Sequence, residues 1–224
     1  MRACKSISRI IVATTVEPVD DALAAYCTEQ GIEVFRGSET DVLDRIYRSV
    51  EAIPDEYFIK FWGDSPIIDV GLCDEIVSTL DGRFSDFDYV SNNHPSTYPE
   101  GMQIEVIKLD ALKRSAQSEA ITDFDREHVT TAIWRNSENY RIGNIENEHN
   151  IHDEFRLVVD YPEDFEQIRA ILTALYSDNP LFTLPDIVEF LENNPQVRQI
   201  NTMHIESESD YYDRIAESNG PGSE

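Results

Sequence analysis

The stretch Tyr57-Phe58-Ile59-Lys60-Phe61-Trp62-Gly63-Asp64-Ser65-Pro66 decides the fold. A short, mostly apolar run that ends in a glycine-aspartate-proline corner reads as a strand covered on both faces and then a turn. The periodicity after it, over 70–80, is helical. The same unit precedes it twice. Arg9-Ile10-Ile11-Val12-Ala13-Thr14 is a continuous apolar run. Pro18 and Asp20-Asp21 then open a helix with Val19, Leu23, Tyr26 and Cys27 on its inward face, and Gly31 is placed to end it. A short strand over 33–36 turns at Gly37-Ser38 into a helix near Thr40 that points Leu43, Ile46, Tyr47 and Val50 inward. Strands alternating with helices mean parallel strands and crossover helices, the α/β class.

After residue 88 the pattern changes. Short strands are expected over 89–91, 104–107 and 140–142, with helices over 111–117 and 126–134. The buried-strand pattern returns over 155–159 and ends in Val159-Asp160-Tyr161-Pro162-Glu163-Asp164. Helices over 162–175 and 184–191 follow. No repeat or linker divides the chain, so residues 1–205 read as one domain. Residues 206–224 read as an acidic, partly disordered tail.

Both acidic corners put a carboxylate where a buried strand ends, and in an open α/β sheet that is where ligands bind. Asp64 and Asp160, about 100 residues apart, are what a shared Mg²⁺ on a nucleoside triphosphate requires. Each also has a structural reading: Asp64 as the cap of the following helix, Asp160 as part of a helix start with Pro162 in its first turn.

Composition narrows the class. The net charge is −26, and only four of the 18 basic residues are lysines (Lys5, Lys60, Lys108 and Lys113). Such a field repels nucleic acid and anionic membrane, so neither is expected as a partner. Acidic residues spread evenly with so little lysine point to a halophilic chain in a salt-rich cytoplasm, where screening is short-ranged. No apolar run is long enough to span a bilayer. Cys4, Cys27 and Cys73 share no metal-ligand spacing and suit a reduced, cytoplasmic setting.

Seven segments in one order make a more specific pattern: Val12-Ala13-Thr14-Thr15, the run Val34 through Arg45, Gly63-Asp64-Ser65-Pro66-Ile67-Ile68-Asp69, Asp88-Tyr89-Val90-Ser91-Asn92, Tyr98-Pro99-Glu100-Gly101, Arg126-Glu127-His128-Val129-Thr130 and Val159 through Asp164. Together they resemble the cytidylyltransferase family that includes the spore-coat polysaccharide biosynthesis proteins, relatives of the acylneuraminate and 3-deoxy-manno-octulosonate cytidylyltransferases. The resemblance runs from about Ile7 to Tyr212.

It implies a Rossmann-like nucleotide-diphospho-sugar transferase sheet, mostly parallel, that moves CMP from CTP to an acidic sugar-like acceptor and releases pyrophosphate. It makes Asp64 and Asp160 the Mg²⁺ ligands. Ala13, Thr14, Thr15, Arg36, Gly37 and Ser38, with Gly63, would line the nucleotide pocket. Tyr98, Gln103, Glu105 and Arg126 would face the acceptor. Arg126 suits an oxyanion through its planar fork, and His128 a proton transfer; a structural ion pair and a helix-packing role stand beside these. A homodimer through the irregular middle section is implied too.

The chain departs from the pattern at Gln103, where aspartate is usual, at Trp62, where the residue is usually small, and at Ser65, where cysteine is common. The largest departure is the family's opening strand, its triphosphate-gripping Gly-Ser-x-Arg-Leu-Pro-Gly-Lys loop and the following helix, roughly one βα unit, which has no counterpart here. That strand would lie between those at 9–14 and 57–61. The expectation is a start upstream of Met1. The alternative is a catalytically silent relative that binds a partner.

Overall fold

A computed structural model describes residues 1–207 and 209–210. Most of the expected tail, residues 208 and 211–224, lies outside the described residues.

The strand–helix alternation is present from the start. β1 (Ile11–Thr15) leads through a 3-10 turn into α1 (Asp21–Glu29), and β2 (Glu33–Gly37) into α2 (Val42–Val50). β3 (Tyr57–Lys60) and α3 (Val70–Thr79) follow. β1 and β2 pair in parallel, Thr14 opposite Arg36 and Thr15 opposite Gly37. A second sheet has the order β3-β5-β4-β6, with β4 (Tyr89–Ser91), β5 (Glu105–Lys108) and β6 (Ile142–Asn144). β5 is antiparallel to both β3 and β4, and β4 is parallel to β6. Three of these four strands therefore run one way and β5 alone is reversed.

β1 and β3 do not pair with each other. Between them lies a cavity of ≈ 400 Å³ lined by Ile10, Ile11, Val12, Phe58, Ile59 and their neighbours. Both strands were expected to be covered on both faces, and most of their residues are only half-buried.

Three local expectations need correction. Of the expected inward face of α1 only Cys27 is buried, while Val19 is 83% and Tyr26 60% exposed, and Leu23 is exposed with them. The narrow two-stranded sheet meets the helix on one side and leaves this stripe outside. The helix over 126–134 is broken into α5 (Asp123–His128) and α6 (Thr131–Trp134). Val129, with φ 65 and fully buried, makes the break. A β-branched residue rarely adopts that conformation, which costs about 1–3 kcal/mol and marks a site of constraint.

Residues 155–158 are buried as expected and Val159 is half-buried, but the segment forms no strand. The NH of Leu157 donates to the Glu100 carbonyl and that of Val159 to the Asp64 carbonyl, so the segment divides its bonds between two loops. Gly101 permits this approach: its φ is +97, and a Cβ there would sit 2.4 Å from the Leu157 carbonyl.

The remaining helices close the far side. α4 (Leu109–Ala116) follows β5, and α7 (Pro162–Leu175), α8 (Leu184–Asn193) and α9 (Pro195–Arg198) follow the second acidic corner. Leu157, Ile168, Ile171, Ile187 and Leu191 form the core beneath that corner, and Leu43, Tyr89, Ile107, Leu112 and Ile133 another beside α2 and α4. No helix among the described residues is long and apolar enough to cross a membrane.

Candidate active site

Asp64 follows β3 at Gly63, and its carbonyl accepts from Val159, one residue before Asp160. That bond ties the two acidic corners together. Both carboxylates line one cavity of ≈ 260 Å³, along with Gln103, Glu105 and His128. Neither is consumed by helix capping. The cap of α3 is Asp69, whose Oδ1 accepts from Leu72 NH at 3.0 Å. At α7, Asp164 Oδ2 takes the NH groups of Asp160 and Tyr161, both at 3.1 Å. Burial pushes the Asp64 carboxyl above its ordinary range; the Ser65 hydroxyl opposes this and the Asp160 charge adds to it. A buried carboxylate raised in part by a neighbouring carboxylate's charge favours a cation shared between the two.

Behind Glu105, which lines the cavity, lies a buried ion pair in strand register. Lys60 on β3 stands opposite Glu105 on β5, with Nζ to Oε2 at 2.5 Å and the two side chains 4% and 5% exposed. Tyr89 OH (2.7 Å) and Thr130 Oγ1 (2.6 Å) donate to the other Glu105 oxygen. Burial pushes the Glu105 carboxyl up, but the Lys60 charge and these donors outweigh it, holding Glu105 below its ordinary range. The Lys60 ammonium also sits 3.1 Å from the centre of the Trp62 ring. Trp62 separates this cavity from the larger one between β1 and β3, which it also lines.

The opposite wall is aromatic. His94 stacks on Trp134 with ring centres 3.9 Å apart, and burial lowers the His94 pKa to about 4. His128, at the end of α5 beside the Val129 break, packs on Phe124 at 4.1 Å. Gln103 Oε1 accepts from Gly101 NH at 2.8 Å, so the unusual glutamine braces the loop as well as lining the cavity.

Other expected site residues lie elsewhere. Arg126 is outside the described lining, with Nη1 2.7 Å from Asp41 Oδ2 at the start of α2. Tyr98 is outside it too, though its carbonyl contacts His152 Nδ1, a lining residue, at 3.0 Å. Thr14, Thr15, Arg36, Gly37 and Ser38 gather at the adjoining ends of β1 and β2. There the Thr14 and Thr15 hydroxyls and the Thr15 NH donate to Asp20, and Arg36 spans the Thr15 carbonyl and Asp21. Ala13 and Gly63 line the larger cavity.

The chain matches the Cytidylyltransferase family over residues 1–206. The family is thereby decided. The chain belongs to the cytidylyltransferases.

Spore coat polysaccharide biosynthesis protein SpsF of Bacillus subtilis is 31% identical over 192 residues, covering 85% of this cytidylyltransferase and 78% of the relative. An uncharacterised protein of Methanocaldococcus jannaschii is 32% identical over 203 residues, 90% of this chain and 80% of its own. Among solved structures, a cytidylyltransferase from Leptospira borgpetersenii superposes with a TM-score of 0.78 at 26% identity, covering 84% of this chain and 78% of that one. CMP:2-keto-3-deoxy-manno-octonic acid synthetase complexed with CTP superposes at 0.55 and 14% identity, covering 75% and 82%. It shares the nucleotide-diphospho-sugar transferase-like fold.

Several residues of this cytidylyltransferase site escaped sequence reasoning: Lys60, His94, Trp134, Arg156 and Glu206. Two had a signal. Lys60 and Glu105 are lone opposite charges inside apolar strands, and a buried charge demands a partner. Glu206, read as the first tail residue, lines the cavity.

Proposed function

We propose that the chain acts in CTP-dependent transfer of CMP to an acidic, sugar-like acceptor in surface polysaccharide synthesis, with release of pyrophosphate. The observation that carries this reading is the convergence of Asp64 and Asp160, about 100 positions apart in sequence, on one cavity. No group of three or more metal-binding side chains occurs among the described residues. A Mg²⁺ that arrives on a triphosphate needs only one or two carboxylates, and this oxygen donor pair fits it. When bound, that ion neutralises charge developing on the phosphates.

The protein's part is positioning. An acceptor oxygen attacks the α-phosphorus in line, the bond to the pyrophosphate oxygen breaks, and the chain forms no covalent bond. Asp64 and Asp160 fix the cation end, the Trp62 and Trp134 walls exclude water, and His128 takes the acceptor's proton. The ends of β1 and β2, with Arg36 beside Thr15, receive cytosine and ribose.

One observation favours a second reading, a catalytically silent relative that binds a partner. No lysine or arginine is among the described residues lining the cavity, and Arg36 and Arg126 are both engaged in ion pairs. Pyrophosphate release from CTP and Mg²⁺ with a panel of sugar acids separates the two. The transfer reading expects turnover that falls at least about 100-fold in Asp64→Asn and Asp160→Asn. Equal rates in wild type and both variants, or no turnover with any acceptor, would count against it.

A further inference from the structure

We propose that Arg156 is the positioning residue for Asp160, holding one carboxylate oxygen so that the other is presented to a cation, and that the segment at Asn201 fixes Arg156 in turn. The inference rests on the reading of Asp64 and Asp160 as cation ligands.

The Asp160 side chain is 47% exposed, while that of Arg156 is only 5% exposed. Left alone, a half-exposed carboxylate samples several rotamers, and ordering it has an entropic cost. Here its Oδ2 receives Nη2 of Arg156 at 2.5 Å. The guanidinium itself has no freedom. Its Nη1 pairs with Glu100, and its Nε donates to Asp164 Oδ1 at 3.1 Å. Asp164 is fully buried and already holds the backbone of the Asp160 corner.

Asn201 closes the arrangement. Its Nδ2 donates to Asp164 Oδ1 at 2.7 Å and to the Arg156 carbonyl at 3.1 Å. Its own Oδ1 accepts from Gln167 Nε2 at 2.6 Å. A buried chain of hydrogen bonds thus runs from the residues after α9 to the rim of the cavity. One planar fork serves three carboxylates in different directions, which the point charge of a lysine cannot do. Because three carboxylates share one guanidinium, the cluster stays negative and still favours a divalent cation. Asp160 Oδ1 makes no protein hydrogen bond recorded among the described residues, which leaves it for that cation.

The test is a titration of the full chain with Mn²⁺ alone, read by water-proton relaxation, so that no turnover is needed. Far-ultraviolet circular dichroism and the thermal midpoint check folding. Asp64→Asn and Asp160→Asn remove the binding if the cation reading is right. Arg156→Lys, folded, then binds Mn²⁺ about 10–100-fold more weakly. Asn201→Ser, which changes no charge, weakens it several-fold and keeps the inference testable if the lysine variant does not fold. If the aspartate variants lose Mn²⁺ while folded Arg156→Lys or Asn201→Ser binds as tightly as wild type or tighter, Arg156 is only a structural counter-charge and the inference fails. If the aspartate variants bind like wild type, the cation reading falls and takes this inference with it.

Discussion

β5 is flanked by strands on both sides and carries a charged residue, Glu105, only 4% exposed. β1 has one ladder partner, carries mostly apolar residues, and leaves Ile11 and Val12 half-buried beside a cavity of ≈ 400 Å³. The buried charge sits on a strand with two ladder partners, and the apolar strand with one partner is left open on its other edge. The contrast teaches that composition does not set burial here. A charge goes inside where a partner stands in register, as Lys60 does for Glu105. An apolar strand stays half-open where its neighbour across the cavity does not pair with it.

Four experiments sharpen or break that contrast. The largest effect belongs to the four-stranded sheet. Lys60→Met leaves Glu105 buried without its cation, and the unfolding free energy should fall by about 3–5 kcal/mol in urea titrations. The matching cut in the two-stranded sheet, Arg9→Met against Glu33, breaks a pair with both side chains about half exposed and should leave the urea midpoint where it was. Equal losses in the two variants would erase the contrast. Next, Leu157→Ala, fully buried under the acidic corner, should cost about 2–5 kcal/mol, whereas Leu23→Ser on the exposed stripe of α1 should stay within about 0.5 kcal/mol.

Acid should act on the same side of the comparison. Glu105 and Asp164 are both held below the ordinary carboxylate range: burial pushes each up and is outweighed, at Glu105 by Lys60 and its donors, at Asp164 by Asn201, Arg156 and two backbone NH groups. Their folded pKa values lie below the unfolded ones, so their stabilisation is complete above about pH 4 and is lost as pH falls through the folded values. Each contributes a slope of at most about 1.4 kcal/mol per pH unit there. Lys60→Met should flatten the Glu105 part of that slope, which urea midpoints between pH 2.5 and 6 will show. The smallest signal is kinetic. Amides of β1 and β3 should exchange with deuterium faster than those of β4 and β5, and equal protection would mean that the edges facing the cavity are closed in solution.

Much of this was legible in the residues. The strand–helix alternation from Ile11 to Thr79 follows from apolar runs punctuated by Pro18, Gly31 and Gly37, and the two acidic corners gave Asp64 and Asp160 before any geometry. What the sequence hid depends on direction and partner. The reversal of β5 leaves no mark in a four-residue strand, and residues 155–159 look like a strand because burial, not pairing, shapes their composition. Arg126 has the chemistry of an anion ligand, but its direction is set by Asp41, 85 positions away. Arg156 reads as an ordinary charge until Asp160, Asp164 and Glu100 are seen around it.

The most direct test of the account is a crystal of the full chain grown with CTP and Mn²⁺, with the metal located by anomalous scattering. The account predicts one peak bridging the Asp64 and Asp160 carboxylates at about 2–2.3 Å from an oxygen of each. A peak bound by only one of them, or a metal held elsewhere with the two side chains turned apart, would contradict it.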